Sequence, residues 1–337
     1  MNNKIVLEIP YWVSHYNMLL YATYYYCIQN NYRFEVKLNK KINNGVILNF
    51  NNKNSFFDYS DDVLFIEKPT NFDFYFKRSL LEKDFFDNIL PLNFQVNYSY
   101  NSLSFIKCLD RKILTDQKSR VEVIRALDYF NKITNLSHRA MDISTIKRND
   151  NDYQGRVIFQ TRLWNPDNNP SLEEKERRNK QNAFRINTCR LIKKYYKNSL
   201  VGIYPDSYSS KIASDLLLDK KSITKSIYFR NLFCSDIAIA DDGLKDTPGW
   251  KIGEYAFFGK AIISTPISTV VESFDENVNF LKLSDRNSYH EIPDKIEWLI
   301  EQKRYSEIGS NNFDWANKNL HPKSYIQRII TIMELNK

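Results

Sequence analysis

Residues 235–266, SDIAIADDGLKDTPGWKIGEYAFFGKAIISTP, contain the pattern that decides the fold. Residues 235–240 alternate β-compatible side chains and predict a buried strand, which ends at the polar triplet 241–243. A second apolar run over 260–265 stops at Pro266. A helix lies between the two runs, and strand, helix and strand in this order indicate a parallel α/β sheet.

The segment between the two strands carries the signals of a helix in the expected order. Thr247 is placed to cap the free N–H groups, and Pro248 takes the first helical position, where no N–H is needed. Gly259 follows the expected end of the helix. In a parallel sheet the loop before such a helix lies at the carboxyl end of the strand, where ligands bind.

The same stretch resembles the donor-binding motif of GT-B glycosyltransferases, especially those related to family 4. In that motif an acidic residue, seven further residues and a Glu open a helix, and a strand reading roughly GKPVI follows. Asp246 and Glu254 have this spacing, and GKAII at 259–263 supplies the strand. The first acid is Asp, where the family pattern usually has Glu. The resemblance covers mainly residues 155–266, about a third of the chain.

The resemblance implies an α/β fold of GT-B type, with two Rossmann-like domains facing a cleft, and sugar transfer from a nucleotide-sugar donor without a metal or a cofactor. It implies that Glu254 binds the ribose hydroxyls and that Asp246 faces the donor sugar or the reacting centre. Arg162 follows a predicted strand and resembles the basic residue that the family uses for the nucleotide diphosphate. The N–H groups at Thr247 and Gly249 suit the same anionic group. The Lys that usually follows the Arg five residues later is absent, because position 167 is Asp.

Both acidic residues also have a purely structural interpretation. In that alternative Glu254 is a surface carboxylate on an amphipathic helix, although its neighbours 255–258 are largely apolar. Asp246 then only places a favourable negative charge in the first turn of the helix. The sequence leaves both alternatives open.

A second strand, loop and helix open the chain. The apolar run Lys4–Ile9 predicts a strand, and Asn17–Asn30 predicts a helix. His15 lies in the loop between them, again at the expected ligand edge of a sheet. It is a candidate general base or sugar contact. The structural alternative is a loop histidine with a local hydrogen bond.

Further strands are predicted in the first half at Arg33–Leu38, Val46–Phe50 and residues 62–67. In the segment 71–79, NFDFYFKRS, aromatic and polar residues alternate. This period of two predicts a half-buried strand with a Phe face in the core and Lys77 on a solvated face. The alternative places the polar residues on the rim of a cleft.

The polar segment 142–154 divides the chain nearly in half and predicts a linker. We expect an acceptor-binding Rossmann-like domain over residues 1–145 and a donor-binding Rossmann-like domain over residues 155–320. The last segment, 321–337, is predicted to be helical. In GT-B enzymes such a helix often returns to the first domain, and the pattern here permits this.

The composition argues against several classes of protein. A chain of 337 residues with 42% hydrophobic residues can form ordinary globular cores, and its 8 glycines form neither a G-x-G-x-x-G nor a Walker loop. The cysteines at 27, 108, 189 and 234 are as dispersed as the four histidines. This spacing argues against a zinc cluster or a disulfide framework and predicts free thiols in a reducing cytoplasm. We expect neither a signal peptide nor a membrane span, since no apolar run approaches about 18 residues.

The net charge of +8 fits nucleic acid, anionic lipid and phosphorylated ligands, and also a merely solvated basic surface. The favoured hypothesis is a glycosyltransferase of bacterial capsule or lipopolysaccharide synthesis. It would use a glycan or lipid-linked acceptor and touch the anionic inner membrane. The alternatives are a nucleotide-sugar epimerase of the same fold and a non-catalytic protein that binds nucleic acid or an anionic glycan. No recognised nucleic-acid-binding motif is present, and the basic residues are spread along the chain.

Overall fold

The structure is a computed structural model that describes residues 4–100, 103–127, 141–142 and 151–335. Most of the expected linker over 142–154 lies outside these residues. The described chain forms two larger sheets, one in each half, with helices packed against them.

The first half forms a mixed sheet of six strands. These strands are β1 (Lys4–Ile9), β2 (Arg33–Leu38), β3 (Val46–Phe50), β4 (Lys53–Asp58), β5 (Phe74–Lys77) and β6 (Ile89–Pro91). The short strands β7 (Tyr98–Ser99) and β8 (Met141–Asp142) pair with each other, and the helices are α1 (Asn17–Asn30), α2 (Arg111–Thr115) and α3 (Arg120–Leu127). The order is β2-β1-β3-β4-β5-β6. Strand β3 runs antiparallel to both neighbours, unlike an all-parallel Rossmann sheet, and the other neighbours are parallel.

The second half forms a parallel sheet of five strands in the order β10-β9-β11-β12-β13. These strands are β9 (Val157–Thr161), β10 (Leu200–Ile203), β11 (Ile237–Ala240), β12 (Ala261–Ser264) and β13 (Phe280–Lys282). The helices are α4 (Leu172–Tyr195), α5 (Ser207–Ile212), α6 (Lys225–Phe233), α7 (Trp250–Phe257), α8 (Ile292–Glu301), α9 (Arg304–Asn319) and α10 (Pro322–Leu335). Parallel strands joined through helices form a doubly wound layer. The predicted α/β class with two sheets is confirmed.

The strand predicted at residues 62–67 is wrong, because these residues form a loop and the strand is β4. Strands β3 and β4 are joined by Asn51 and Asn52, which both take a positive φ, of 49° and 63°. This is the conformation of a type I′ hairpin turn, which favours Asn and Gly. The Asn pair is therefore the signal that β4 begins at Lys53.

The solvated face predicted for residues 71–79 is also wrong. All four residues of β5 are buried, and the Lys77 side chain is 1% exposed. Its Nζ lies 2.9 Å from Asp58 Oδ2 and donates to the carbonyl oxygens of Asp62, at 2.8 Å, and Leu64, at 2.9 Å. A buried ammonium is tolerated because these oxygens replace its water. Lys77 thereby fixes the loop that follows β4.

One apolar core joins the two halves. It contains side chains of β1 and α1 from the first half and of α7 and β12 from the second. Gly253 of α7 lies against residues 94–96, since a Cβ added to it would lie 2.9 Å from Gln95 O and 2.9 Å from Val96 Cγ2. The missing side chain lets the helix backbone approach the first half directly.

The helix α10 packs against α1, although α1 belongs to the first half. Its apolar face is buried in the shared core through Tyr325, Ile326 and Ile329. Arg328, on the same helix, donates from Nη2 to the carbonyl oxygen of Pro91 at 3.4 Å. The last described helix therefore completes the packing of the first sheet.

We expect Gly253→Ala to weaken the packing of α7 against the first half. An Ala inside a helix is usually more favourable than Gly by about 1 kcal/mol, but here the added Cβ would overlap the backbone at Gln95. The free energy of unfolding in urea should fall by about 1–3 kcal/mol. Gly249→Ala is the control, since a Cβ there meets only Asp241 O, at 3.8 Å. A Gly253→Ala variant as stable as the wild type, or more so, would contradict the contact.

We expect Lys77→Met to destabilise the protein strongly, because it leaves the Asp58 carboxylate buried without its cation. The free energy of unfolding should fall by about 3–5 kcal/mol. Lys180→Met is the control. Lys180 pairs with Glu176 at 2.8 Å on the surface, with side chains 63% and 69% exposed, and should change the same quantity by about 1 kcal/mol or less. Similar losses in both variants would mean that the burial of the first pair has no special role.

Candidate active site

The order of the second sheet places its ligand edge between β9 and β11. Counted along the chain, the strands lie in the order 2-1-3-4-5. The right-handed connections that follow β9 and β11 therefore leave the sheet on opposite faces and open a crevice at the carboxyl ends. A cavity of about 350 Å³ lies there, between α4 and the loop that follows β11.

Buried polar contacts tie α4 to both strand ends. Arg185 Nε lies 2.6 Å from Asp241 Oδ2, with side chains 8% and 5% exposed, and Arg185 Nη1 donates to the carbonyl oxygen of Arg162 at 2.6 Å. Gln181, one turn earlier, donates to Asp241 Oδ2 at 3.2 Å and to the carbonyl oxygen of Asp242. Gln181, Asp241 and Asp242 line the cavity, and Arg185 holds Asp241 in place from behind its wall.

A second cluster joins the loop after β11 to the loop after β13. Arg286 Nε lies 2.5 Å from Asp242 Oδ2, and Arg286 Nη1 lies 2.7 Å from Asp246 Oδ2. Thr265 Oγ1 donates to Asp242 Oδ1 at 3.0 Å. Burial raises the pKa of Asp242 to about 7, although the Arg286 charge and the Thr265 hydrogen bond lower it. The cavity therefore contains a carboxyl group that titrates near neutral pH.

The turn before α7 has a strained backbone. Lys245 and Asp246 both have a positive φ, of 51° and 61°, which is unfavourable for residues with side chains. Ser268 Oγ donates to the Asp246 carbonyl oxygen at 3.1 Å, and Arg177 Nη1 donates to the Gly243 carbonyl oxygen at 3.1 Å. Contacts from outside the turn therefore hold Asp246 in place.

The first half forms the opposite wall. Because β3 is antiparallel to both β1 and β4, these two strands end at the same edge of the sheet. Residues of the loops that follow them face the 245–246 turn across a cleft of about 1070 Å³. Asp246 and Arg177 line both the cleft and the smaller cavity, so the two spaces are neighbours.

His15 is a partly exposed residue of the first-half wall of this cleft, and the atoms packed around its ring shield part of the ring from water. Its ring meets Trp250 edge-on, with centroids 4.9 Å apart. Desolvation by the cleft wall lowers the pKa of His15 below the ordinary 6.5, and the Arg78 charge lowers it further, whereas Asp61 raises it. The imidazole is therefore mostly neutral at neutral pH and can accept a proton.

Polar contacts connect the two walls. The Arg78 side chain, 7% exposed, places Nη1 2.5 Å from Asp61 Oδ1 and donates from Nη2 to the Pro248 carbonyl oxygen at 3.0 Å. Lys245, in the strained turn, pairs with Asp62. The loop after β4, which Lys77 fixes, thus reaches the loop before α7.

The structure brings two of the six predicted site residues into the cleft. Asp246 and His15 both line it, on opposite walls. Arg162 lies at the end of β9 but outside both cavities, where its exposed guanidinium stacks on the Tyr204 ring at 4.2 Å. Its role in holding the diphosphate remains a prediction.

Glu254 lies away from the cleft wall. It is 3% exposed, it lines neither cavity, and it pairs with Lys225 of α6. The surface alternative for this carboxylate is therefore wrong, because the group is buried and paired. Its contact with a ribose remains a prediction.

The predicted helix start is corrected by two residues. Helix α7 begins at Trp250 with Gly249 as its N-cap residue, and no side chain caps it. Thr247 does not cap the helix, and its Oγ1 donates instead to Asp61 Oδ1 at 3.3 Å. Pro248 precedes the helix, and its carbonyl oxygen accepts the Arg78 hydrogen bond. The reason is the contact with the first half, which draws residues 247–248 out of the helix.

Sequence reasoning missed Arg286 and Asp61 as residues of the site. Arg286 belongs to the polar segment SDRNS at 284–288, shortly after β13, so the carboxyl-edge rule that led to His15 would have found it. Asp61 follows β4, and without that strand its loop could not be placed. Only Asp61 therefore depended on a strand that the sequence did not predict.

The comparisons with known proteins give structural likenesses alone. No family model and no curated protein matches the chain. It is similar to the C-terminal domain of a glycosyl transferase group 1 family protein from Francisella tularensis, at 15% identity over 53% of this chain and 98% of that chain, with a TM-score of 0.37. It is also similar to a glycosyltransferase from Rickettsia africae, at 12% identity over 96% and 82% of the two chains, with a TM-score of 0.37. It is also similar to S. aureus MnaA, solved with UDP, at 13% identity over 99% of this chain and 75% of that chain, with a TM-score of 0.40.

At these identities and TM-scores the likenesses carry no functional argument. The fold and the site define a two-sheet α/β protein with a polar cleft between the carboxyl edges of its sheets. The chemistry of the cleft therefore depends on its own side chains.

We expect Asp242→Asn to remove a pH dependence of stability. Since burial raises the pKa of Asp242 from 3.8 to about 7, the folded protein keeps a proton that the unfolded chain loses between these values. The free energy of unfolding therefore falls as the pH rises through this window, by at most about 1.4 kcal/mol per pH unit. Urea denaturation at about pH 5, 6 and 7 should show the stability of the variant relative to the wild type rising with pH.

Asp215→Asn is the control for this measurement. Asp215 is 55% exposed and pairs with Arg190, which lowers its pKa, so it stays ionised across the same window. A stability difference for Asp242→Asn that does not change with pH would show that the carboxyl is already ionised in the folded protein.

Proposed function

We propose that the protein is a glycosyltransferase that moves a sugar from a nucleotide-sugar donor to an acceptor bound in the cleft. The observation that carries the proposal is the pairing of two groups across this cleft. Asp246 lies in the loop after β11, at the carboxyl edge of the second sheet where the crevice between β9 and β11 opens. His15, with a lowered pKa, lies on the opposite wall of the cleft. A carboxylate and a neutral imidazole facing one cleft suit proton transfer beside a developing positive charge.

In this mechanism an acceptor hydroxyl forms the new bond to the sugar carbon, and the bond from that carbon to the donor phosphate breaks. The His15 imidazole takes the hydroxyl proton, and the diphosphate leaves with the electron pair. Asp246 stabilises the positive charge that develops on the sugar. The N–H groups of the first turn of α7, which no side chain caps, offer donors to the diphosphate.

The remaining donor contacts are proposed from the resemblance. Arg162, Thr247, Gly249 and Glu254 are assigned to the nucleotide part of the donor. Because Arg162 and Glu254 line neither cavity, these assignments require the nucleotide to extend beyond the cleft along the edge of the second sheet.

The acceptor is proposed to be a growing glycan, free or lipid-linked, in the synthesis of a bacterial surface polysaccharide such as capsule or lipopolysaccharide. The basic charge of +8 supports a peripheral contact with an anionic inner membrane. No helix among the residues that the structure describes is both long and apolar enough to cross a bilayer.

One observation favours a nucleotide-sugar epimerase as the second candidate. Asp242, with a pKa of about 7, lines the smaller cavity and could exchange protons with a sugar carbon. An epimerase would isomerise the donor without an acceptor, whereas a transferase releases nucleoside diphosphate. Chromatography of the reacted nucleotide sugar distinguishes the two.

We expect His15→Ala and Asp246→Asn each to lower turnover by about a hundredfold or more, the usual contribution of a group that transfers a proton or stabilises charge at the reacting centre. The assay follows release of nucleoside diphosphate from a panel of nucleotide sugars, with and without glycan acceptors. The acid limb of the pH–rate profile should lie below 6.5, because the pKa of His15 is lowered. His290→Ala, an exposed histidine outside both cavities, is the control. A wild-type protein that neither binds nor turns over any nucleotide sugar would remove the proposal.

A further inference from the structure

Arg177 and Arg286 line the smaller cavity, and Arg185 lies behind its wall, paired with the lining residue Asp241. Arg177 and Arg185 are fully engaged by the protein. Arg185 is buried between Asp241 and the Arg162 carbonyl oxygen. Arg177 uses Nε and Nη2 on Glu174, both at 2.8 Å, and Nη1 on the Gly243 carbonyl oxygen. These two side chains hold the walls of the cavity, so they cannot reach a ligand without disturbing them.

Arg286 differs from both in exposure and in its partners. Its side chain is 38% exposed, with Nε 2.5 Å from Asp242 Oδ2 and Nη1 2.7 Å from Asp246 Oδ2. The two partner oxygens belong to different residues, Asp242 and Asp246, so the guanidinium spans two separate anionic groups. A diphosphate offers the same arrangement, because its two phosphates present oxygens to one planar fork of donors.

The loop that carries Arg286 is fixed independently of these carboxylates. Asp285 Oδ1 accepts from the Asn287 backbone N–H at 2.5 Å, and the Ser284 backbone N–H donates to Glu291 Oε2 at 3.1 Å. Arg286 and Asn287 line the cavity on the side opposite α4. The loop can therefore keep the guanidinium in place while its partners change.

We propose that Arg286 binds the diphosphate of the donor by exchanging its two carboxylate partners for phosphate oxygens. This inference rests on the proposed function and assigns the anionic group of the donor to the smaller cavity. It gives the diphosphate a guanidinium inside that cavity, which Arg162 does not supply from its place outside.

After the exchange, neither carboxyl group is left as a buried charge without a partner. Asp246 is 44% exposed, so water can solvate it when the ion pair breaks. Asp242 is buried, but it keeps the Thr265 hydrogen bond, and its raised pKa lets it take up a proton near neutral pH. Without a ligand, the ion pairs of Arg286 with Asp242 and Asp246 hold the cavity in shape. When the diphosphate binds, its oxygens replace the two carboxylates as partners of Arg286.

The test measures the affinity of the full chain for UDP, GDP and ADP by isothermal titration calorimetry at constant ionic strength. Arg286→Gln should weaken the tightest of these by about tenfold or more, the value of one charge-assisted contact. Asp246→Asn should instead tighten it by about two- to fivefold, because it releases Arg286 from an exposed pair. Arg190→Gln is the control, since Arg190 is exposed on the same helix as Arg177 and lines neither cavity.

The opposite signs separate ligand binding from a structural role. If Arg286 only braces the turn, Asp246→Asn will leave the affinity unchanged or weaken it as Arg286→Gln does, and the inference is overturned. Wild-type affinity in a folded Arg286→Gln variant also overturns it, while the proposed function survives as long as the wild type releases diphosphate from a nucleotide sugar. If none of the three diphosphates binds the wild type, this inference fails, and the turnover assay then decides on the transferase separately.

Discussion

The close approach of α7 to the first half is the constraint on which the cleft depends. Because Gly253 has no side chain, the helix backbone lies directly against residues 94–96. The start of the same helix then places Trp250 beside His15, and Arg78 connects the preceding loop to Asp61. The two walls of the cleft are therefore positioned by packing between the halves, and the geometry of the site is part of the shared core.

The carboxylates of the loop after β11 are paired with nearby arginines, although the whole chain is basic. Arg185 pairs with Asp241, the single guanidinium of Arg286 bridges Asp242 and Asp246, and these pairs are linked through one loop. Buried charges without partners would cost several kcal/mol each, so the pairs are also what allows a strained turn to persist at this edge. In the proposed exchange, a ligand replaces these carboxylates only if it offers oxygens in a comparable arrangement, which would make the site selective.

The sequence predicted the strands and helices that a local apolar pattern defines. It missed the features that depend on contacts with residues distant in the chain. The strand Lys4–Ile9 and the helix Asn17–Asn30 have the predicted bounds, because apolar periodicity and burial coincide there. The alternating pattern and the charge of Lys77 predicted a solvent-exposed side chain. That pattern could not show the ion pair with Asp58, which lies 19 residues earlier in the chain. In the candidate site, the ligand edge of the first sheet led to His15 and the resemblance to the donor-binding motif led to Asp246, whereas Arg286 was missed although it follows a strand of the second sheet.

The packing of α10 on α1 has a consequence for the order of folding. The core of the first sheet includes Tyr325 and Ile329, so its apolar surface stays partly uncovered until residues 322–335 have been synthesised. Contacts between segments so distant along the chain form slowly, because the intervening chain must first be closed into a loop. During translation, the early strands will therefore expose apolar surface until the last helix has been made. A chaperone that binds unfolded chains would protect this surface from aggregation.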